Sequence, residues 1–417
     1  MSNPTNRQPE AKRRWRPGPG LLVTAAFIGP GTVATASRAG AQFGFELLWA
    51  LLLAVVATIA LQEMAARLGL VTRQGLAEAI CQTAGPRWLR GAAVALVLTA
   101  IVLGNTAYQT GNLIGAGAGV AVLTGLSPRA SGAAIGIVVA AAVAVGGAGR
   151  VVTGVLIAIV LAMSAAFVVT AASTTPDAVA IGRGVFSPCL PAGSALTALA
   201  LIGTTVVPYN LFLHATAVQR RWPADADLGG SLRAARLDSA LAITLGGLVT
   251  MAIVATAAAA FYGGGITPSS PAELAEQLAT TIGRSGRVLF AAGLAAAGLT
   301  SAITAPLAAG FAAAGSLAAG DDRTKQERVA RWTAVGVALV GAALAFFLGK
   351  SPTETIIAAQ AANGVLLPVV ALFLLIAMNR RDLLGEHRNG LLLNLVGGAV
   401  VLAAIALGAK NLWALVA

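Results

Sequence analysis

Two short stretches place proline inside apolar segments, beside side chains that can hydrogen-bond or bind ions. The first is residues 27–33 (FIGPGTV), and the second is residues 206–210 (VVPYN). Proline removes a backbone donor and clashes with the preceding turn, so a helix is expected to break at each stretch. Unwound backbone inside a membrane is tolerated only where protein covers it or where it lines a cavity. The two breaks therefore predict one shared binding site at mid-depth.

The composition identifies the environment of these breaks. Of the 417 residues, 57% are hydrophobic and 11% are charged, and the apolar residues form long blocks. Such blocks predict a polytopic protein of the lipid bilayer, and we expect no enzymatic activity. Cys81 and Cys189 form neither a metal-spaced cluster nor a disulfide framework.

The apolar blocks predict a cytoplasmic tail at 1–19 and a single transmembrane domain over 20–417. Most Lys and Arg residues fall between alternate spans, so the positive-inside rule places the N-terminus in the cytoplasm and the C-terminus outside the inner (plasma) membrane. This distribution explains the net charge of +12 without a nucleic-acid partner. The predicted spans lie near 20–41, 46–68, 91–118, 131–148, 151–173, 194–218, 237–262, 286–318, 329–349, 353–378 and 390–416.

The breaks fall in the first and sixth spans, which predicts two five-span repeats at about 20–173 and 194–378. An odd number of spans in each repeat forces inverted topology, and the span at about 390–416 is an addition. The prediction is therefore an all-α membrane protein with the leucine-transporter-like fold, in which helices 1 and 6 are broken.

Several motifs resemble those of the Nramp metal-transporter family, and the resemblance covers essentially all spans. It implies the same fold and a secondary transporter that works by alternating access. The motifs are GPGT at 29–32, FGF at 43–45, LLW at 47–49, AARLGLVT at 65–72, LAE at 76–78, PYNLFLH at 208–214 and RLD at 236–238.

The chain departs from the family at the residues to which the resemblance assigns the chemistry. Gly29 stands where the family has its metal-binding aspartate, and Thr32 stands where it has asparagine. Val207 and Tyr209 replace a methionine and a histidine. No metal is expected at such a site, because a desolvated dication without a counter-charge costs many kcal/mol.

A neutral site with two half-helix N-termini suits a small anion, because free amides and partial positive charge converge there. We therefore expect a small inorganic anion, with bicarbonate preferred, or a small polar solute. The alternatives are a divalent metal transporter (manganese, iron or magnesium) with an atypical site, a neutral-solute transporter, and a non-transporting sensor or channel-like pore. The predicted substrate-binding residues are Gly29, Gly31, Thr32, Thr204, Val207, Tyr209 and Asn210.

Other polar residues are predicted to line the pathway. Gln109 and Asn112 align with the two acids of the family's proton relay, and neither side chain titrates. Gln360 and Asn363 belong to the tenth span. Arg38 is expected either to attract anions in an external vestibule or to form an ion pair, for example with Glu46.

The sequence predicts no cofactor, and sodium is the candidate coupling ion. In proteins that resemble the leucine transporter, sodium lies between first-helix carbonyls and eighth-helix hydroxyls. Here Thr300 and Thr304 share one helix face, so with Ser301 they could face the carbonyls of Ala26 and Phe27. The alternative is that these hydroxyls donate to carbonyls of their own helix. The sequence leaves the oligomeric state open.

Overall fold

The computed structural model describes residues 28–83, 87–146, 150–318 and 322–416. The predicted tail at 1–19, the first half of the first span, and Ala26 and Phe27 lie outside these ranges. Within them the chain folds into α-helices and two short 3₁₀ turns. The α-helices are α1 (Pro30–Phe43), α2 (Leu48–Thr72), α3 (Leu76–Thr83), α4 (Arg87–Thr124), α5 (Pro128–Ala144), α6 (Arg150–Ser173), α7 (Ala178–Phe186), α8 (Ala195–Thr205), α9 (Pro208–Arg221), α10 (Leu228–Phe261), α11 (Pro271–Leu317), α12 (Arg323–Leu348), α13 (Pro352–Met378), α14 (Arg381–Leu384) and α15 (Leu391–Val416).

Nine helical segments among the described residues are long and apolar enough to cross a membrane. One of them joins α8 and α9 across the second proline stretch. Together with the shorter apolar helix α5 and the half-helix α1, they correspond to the eleven predicted spans. The polytopic all-α prediction is therefore confirmed, whereas the division into repeats at 20–173 and 194–378 stays a prediction.

Both prolines occupy the first turn of a half-helix. Pro30 opens α1 directly after Gly29, whose backbone is extended (φ −114°, ψ −176°). Pro208 opens α9 after Val207 (φ −84°, ψ 116°), and α8 has already ended at Thr205. The first turn suits proline because the missing N–H would have no intrahelical partner there.

Small residues let the half-helices approach α13 closely. A Cβ on Gly31 would overlap the side-chain amide of Gln360, and a Cβ on Gly203 would overlap the backbone carbonyl of the same residue. Close approach through small residues is the usual basis of helix packing in lipid. Gln360 is therefore packed between the start of α1 and the end of α8.

Helix α11 contains a break that the sequence did not reveal. Ile282 and Gly283 leave helical geometry, and Gly283 has φ +59°. The break separates an N-terminal arm, residues 271–282, from the membrane span that we predicted to begin near residue 286. In the arm, the buried Gln277 donates to Ser37 Oγ (2.8 Å) and accepts from Thr256 Oγ1 (3.3 Å). These bonds hold the arm against α1 and α10.

Candidate functional site

The two broken helices meet through a pair of threonine hydroxyls. Thr32 Oγ1, in the first turn of α1, lies 2.8 Å from Thr204 Oγ1, near the end of α8. Both side chains are fully buried. The breaks near Pro30 and Pro208 therefore lie beside each other, as the sequence predicted for a shared site.

Three polar side chains surround Gly29, at the position where the resemblance implies a lost carboxylate. A Cβ built on Gly29 would lie 3.0 Å from Ser301 Oγ, 3.7 Å from the Tyr108 hydroxyl and 3.8 Å from Asn112 Oδ1. These residues come from α11 and α4. A side chain at Gly29 would press against Ser301, so the glycine lets these neutral oxygen atoms approach the first break closely.

Buried amides at this junction have unused hydrogen-bonding capacity. Both polar side-chain atoms of Asn112, Asn210 and Gln360 lack a hydrogen-bond partner among the described residues. All three side chains are at most 2% exposed. Because buried polar groups in proteins are nearly always paired, unfilled amides at one place point to water or a bound solute.

Tyr108 is a site residue that sequence reasoning missed. Its ring packs edge-on against Tyr209, with centroids 5.2 Å apart, and both rings are fully buried. Val207 belongs to the same buried cluster. Tyr108 directly precedes Gln109, but its position beside Gly29 depends on the packing of α4, so no local signal marked it.

Gln109 has a structural partner. Pro306 lies inside α11 and has no backbone N–H, so it cannot donate to the Ala302 carbonyl four residues earlier. Gln109 Nε2 donates to this carbonyl instead, at 3.1 Å. Gln109 therefore supplies the hydrogen bond to the Ala302 carbonyl that Pro306 cannot donate.

Asn363 lies about one turn beyond Gln360 on α13. Its Oδ1 would lie 3.8 Å from a Cβ on Gly104, two turns along α4 from Asn112. The structure brings Gln360 against the first break, at Gly31, and Asn363 against α4 at Gly104. A role for Asn363 in the pathway stays a prediction.

Two of the three hydroxyls proposed for sodium, those of Thr300 and Thr304, make bonds within their own helix. Thr300 Oγ1 donates to Ala297 O (2.9 Å), and Thr304 Oγ1 lies 3.2 Å from Thr300 O and Ser301 O. For Thr300 and Thr304, the alternative stated above, donation to the helix's own carbonyls, is therefore the geometry found. Each oxygen keeps a lone pair, and the facing carbonyls of Ala26 and Phe27 lie outside the described residues.

Arg38 forms an ion pair and does not stand free in a vestibule. Its guanidinium contacts Glu354 at 2.5 Å and also donates to Gln42 Oε1 at 3.1 Å. The partner is thus Glu354 at the start of α13, and the expectation of Glu46 was wrong. The pair links α1 to α13, on the Phe43 side of the breaks.

A cavity of about 260 Å³ opens at the other end of the bundle. Arg73, Arg220 and Arg323 line its mouth, and Phe212 lines it one turn beyond Pro208. The side chain of Phe212 is only 2% exposed. The lining of this cavity therefore comes within one helical turn of Pro208.

The described residues contain no group of three or more His, Cys, Asp or Glu side chains that could hold a metal. The oxygen atoms at the junction belong to neutral amides, hydroxyls and the unwound backbone. Oxygen ligands suit hard cations such as Mg²⁺ and Mn²⁺, and the site lacks the sulfur ligand that favours softer metals. Such an arrangement can coordinate a cation directly or through retained water.

Two helices that break side by side within an apolar bundle are the arrangement of the leucine-transporter-like fold. The chain is similar in structure to Mhp1, a nucleobase-cation-symport-1 family transporter, with a TM-score of 0.55 at 15% identity and coverage of 95% of this chain and 93% of that one. It is also similar to the manganese transporter of Eremococcus coleocola, with a TM-score of 0.74 at 22% identity and coverage of 94% and 84%. These likenesses establish the fold.

The family follows from the sequence match. The family model described as natural resistance-associated macrophage protein-like (Nramp) matches residues 20–414, so the chain belongs to the Nramp family. Relatives include proteins named divalent metal cation transporter MntH. The one from Deinococcus radiodurans is 28% identical over 98% of this chain and 92% of its own length. The one from Yersinia enterocolitica is 27% identical over 96% and 95%. Proteins of this family are transporters, and the expectation of no enzymatic activity is confirmed.

The expected substrate, a small anion such as bicarbonate or a small polar solute and not a metal, was wrong. The relatives are named for divalent metal cations, and the similar Eremococcus protein is a manganese transporter. The prediction failed because it considered only the hydrogen-bond donors at the junction and not the acceptors. Each unpaired amide at the junction presents an oxygen acceptor as well as an N–H, so a neutral polar site does not favour anions over cations.

Proposed function

We propose that the chain is a secondary transporter that moves a divalent metal cation by alternating access and binds it where the two broken helices meet. The names of its relatives support the substrate class. The observation that carries the proposal is the set of buried, unpaired amides of Asn112, Asn210 and Gln360 at the junction. Their oxygen atoms can accept a cation or its bound water.

The site is atypical because it has no counter-charge beside Gly29. Complete removal of water from a dication in such surroundings would cost many kcal/mol. We infer that the cation keeps part of its hydration shell and that Asn112 and Gln360 contact it directly or through water. Weak, oxygen-based binding favours manganese and magnesium over softer metals, and iron(II) is a less favoured third candidate.

We further propose that the transporter lies in the inner (plasma) membrane with its N-terminus in the cytoplasm and its C-terminus outside. Arg73, Arg220 and Arg323 come from three segments that the sequence assigns to the cytoplasm, and they line one cavity. Arg67, at the end of α2, donates to Asn389 Oδ1 near a fourth such segment. One basic end of the bundle supports the orientation.

Metal binding to variants of the purified protein tests the site. Asn112→Ala and Gln360→Ala are each expected to weaken manganese binding about tenfold, since an interaction with a charged group contributes about 1.5 kcal/mol or more. Asn105→Ala is the matched control, because Asn105 is a buried and unpaired amide on the same helix, about two turns from Asn112. Equal manganese affinity in all three variants and the wild type would rule out the proposed binding site.

A further inference from the structure

The surface between α6 and α11 carries a long apolar groove. Its volume is about 720 Å³, and nearly all of its lining is apolar. Met163 lies against Gly293 and Phe167 packs on Phe290, so the two helices run antiparallel. The lining includes Val155, Ala158, Ile159, Ala162, Val288 and Leu289.

The groove extends from one membrane boundary into the apolar layer. Arg284 stands at the boundary end, directly after the break at Gly283, and Val155 stands at the opposite end of the lining. The lining covers residues 284–292 of α11 and 155–162 of α6. At 1.5 Å per residue, the antiparallel segments together span about 20 Å. This length is about two-thirds of the hydrocarbon core, which suits an extended acyl chain.

A second cavity, more polar and about 690 Å³ in volume, adjoins the boundary end and shares Arg284 and Val288 with the groove. It also contains Arg287 and Glu276, which form an ion pair at 3.0 Å. Arg284 is exposed and has no ion pair among the described residues. Arg287 neutralises Glu276 in this cavity. The charge of Arg284 is therefore unbalanced, and the cavity carries one net positive charge.

We propose that this pair of cavities binds one anionic phospholipid. The phosphate lies beside Arg284 in the polar cavity, and an acyl chain lies along the groove between α6 and α11. The cationic boundary and the apolar groove match the two parts of such a lipid. This inference is independent of the cation that the protein transports.

Lipid titration monitored by native mass spectrometry tests the proposal, with phosphatidylglycerol and phosphatidylcholine of identical acyl chains as probes. The wild-type protein is expected to bind one phosphatidylglycerol more tightly than phosphatidylcholine. Arg284→Gln should weaken phosphatidylglycerol binding about fivefold, equivalent to about 1 kcal/mol for one arginine beside an anionic lipid. Arg284→Lys should retain most of the binding.

Two further variants distinguish the contribution of the lipid head group from that of the acyl chain. Ala158→Leu combined with Ala162→Leu fills the groove and should weaken both lipids, with Arg284 intact. Arg183→Gln is the control, because Arg183 is exposed on α7 and lines neither cavity. Unchanged phosphatidylglycerol affinity in folded Arg284→Gln, or in the groove-filled variant, would overturn the proposal. Displacement of the lipid by inorganic phosphate alone would overturn the acyl-chain component.

Discussion

The hydroxyl groups of Thr32 and Thr204 join the two broken helices across 2.8 Å, in a region where both side chains are fully buried. A direct bond between half-helices from opposite parts of the chain fixes the distance between the two breaks. We therefore expect this bond to contribute to the stability of the junction and to the geometry of the cation site.

A double-mutant cycle measures this contribution. Thr32→Val and Thr204→Val are each expected to cost about 1 kcal/mol of stability, because each leaves the other hydroxyl without this partner. The double variant should cost less than the sum of the two single variants. Thr205→Val is the control, since its hydroxyl donates to Leu201 O in its own helix. Additive losses in thermal unfolding of the purified protein would show that the two hydroxyls do not interact.

Gln109 is predicted to stabilise α11 at Pro306. Gln109→Leu should cost about 1–3 kcal/mol, because the buried Ala302 carbonyl loses its donor. Pro306→Ala restores a backbone N–H four residues after Ala302, so it should reduce the effect of Gln109→Leu. Thermal unfolding of the two single variants and the double variant checks this prediction. An equally large loss from Gln109→Leu in the Pro306→Ala background would contradict it.

The sequence predicted both helix breaks because Pro30 and Pro208 act locally, by removing a donor and fixing the first turn. The N-terminal arm of α11 was missed, although Ser270 caps it by accepting from the Glu273 N–H, while Glu273 accepts from the Ser269 N–H. Its polar composition concealed it in a search for apolar spans.

The partners of the site residues could not be predicted in the same way. Arg38 and Glu354 are 316 residues apart, and Tyr108 reaches Gly29 only through packing of α4. The substrate was mispredicted for a different reason. Residue types at the junction specify neutral polarity, whereas the sign of the bound charge depends on how amide groups and water are oriented.

The missing counter-charge at Gly29 leads to a gain-of-affinity prediction. The backbone of Gly29 is extended, and a Cβ there would lie 3.0 Å from Ser301 Oγ, which a small shift of the serine relieves. Gly29→Asp combined with Val207→Met should raise manganese affinity about tenfold or more, because an anionic oxygen and a thioether join the site. The neutral control is Gly29→Asn with Val207→Leu.

Calorimetric titration of manganese into the two double variants distinguishes charge from shape. A similar affinity in the Asp–Met and Asn–Leu proteins would show that the counter-charge is not what the natural site lacks. Thermal unfolding of both proteins establishes that the comparison is between folded molecules.

Sodium remains the proposed coupling ion, bound near Ser301 and Thr304. Replacement of sodium by choline is then expected to slow metal uptake into proteoliposomes, and Ser301→Ala should reduce the difference between the two salts. Thr250→Val is a control, because the Thr250 hydroxyl donates to Gly246 O in α10. Equal uptake rates in sodium and choline would eliminate this coupling.

Uptake of radiolabelled manganese by proteoliposomes under an imposed membrane potential tests the central claim most directly. A transporter of divalent cations should accumulate manganese above the level in empty liposomes, and an inside-negative potential should accelerate uptake because positive charge enters. Unlabelled magnesium should compete, and Gln360→Ala should reduce uptake. If neither manganese nor magnesium enters at any potential, while bicarbonate changes the internal pH only when the protein is present, cation transport at this junction is contradicted.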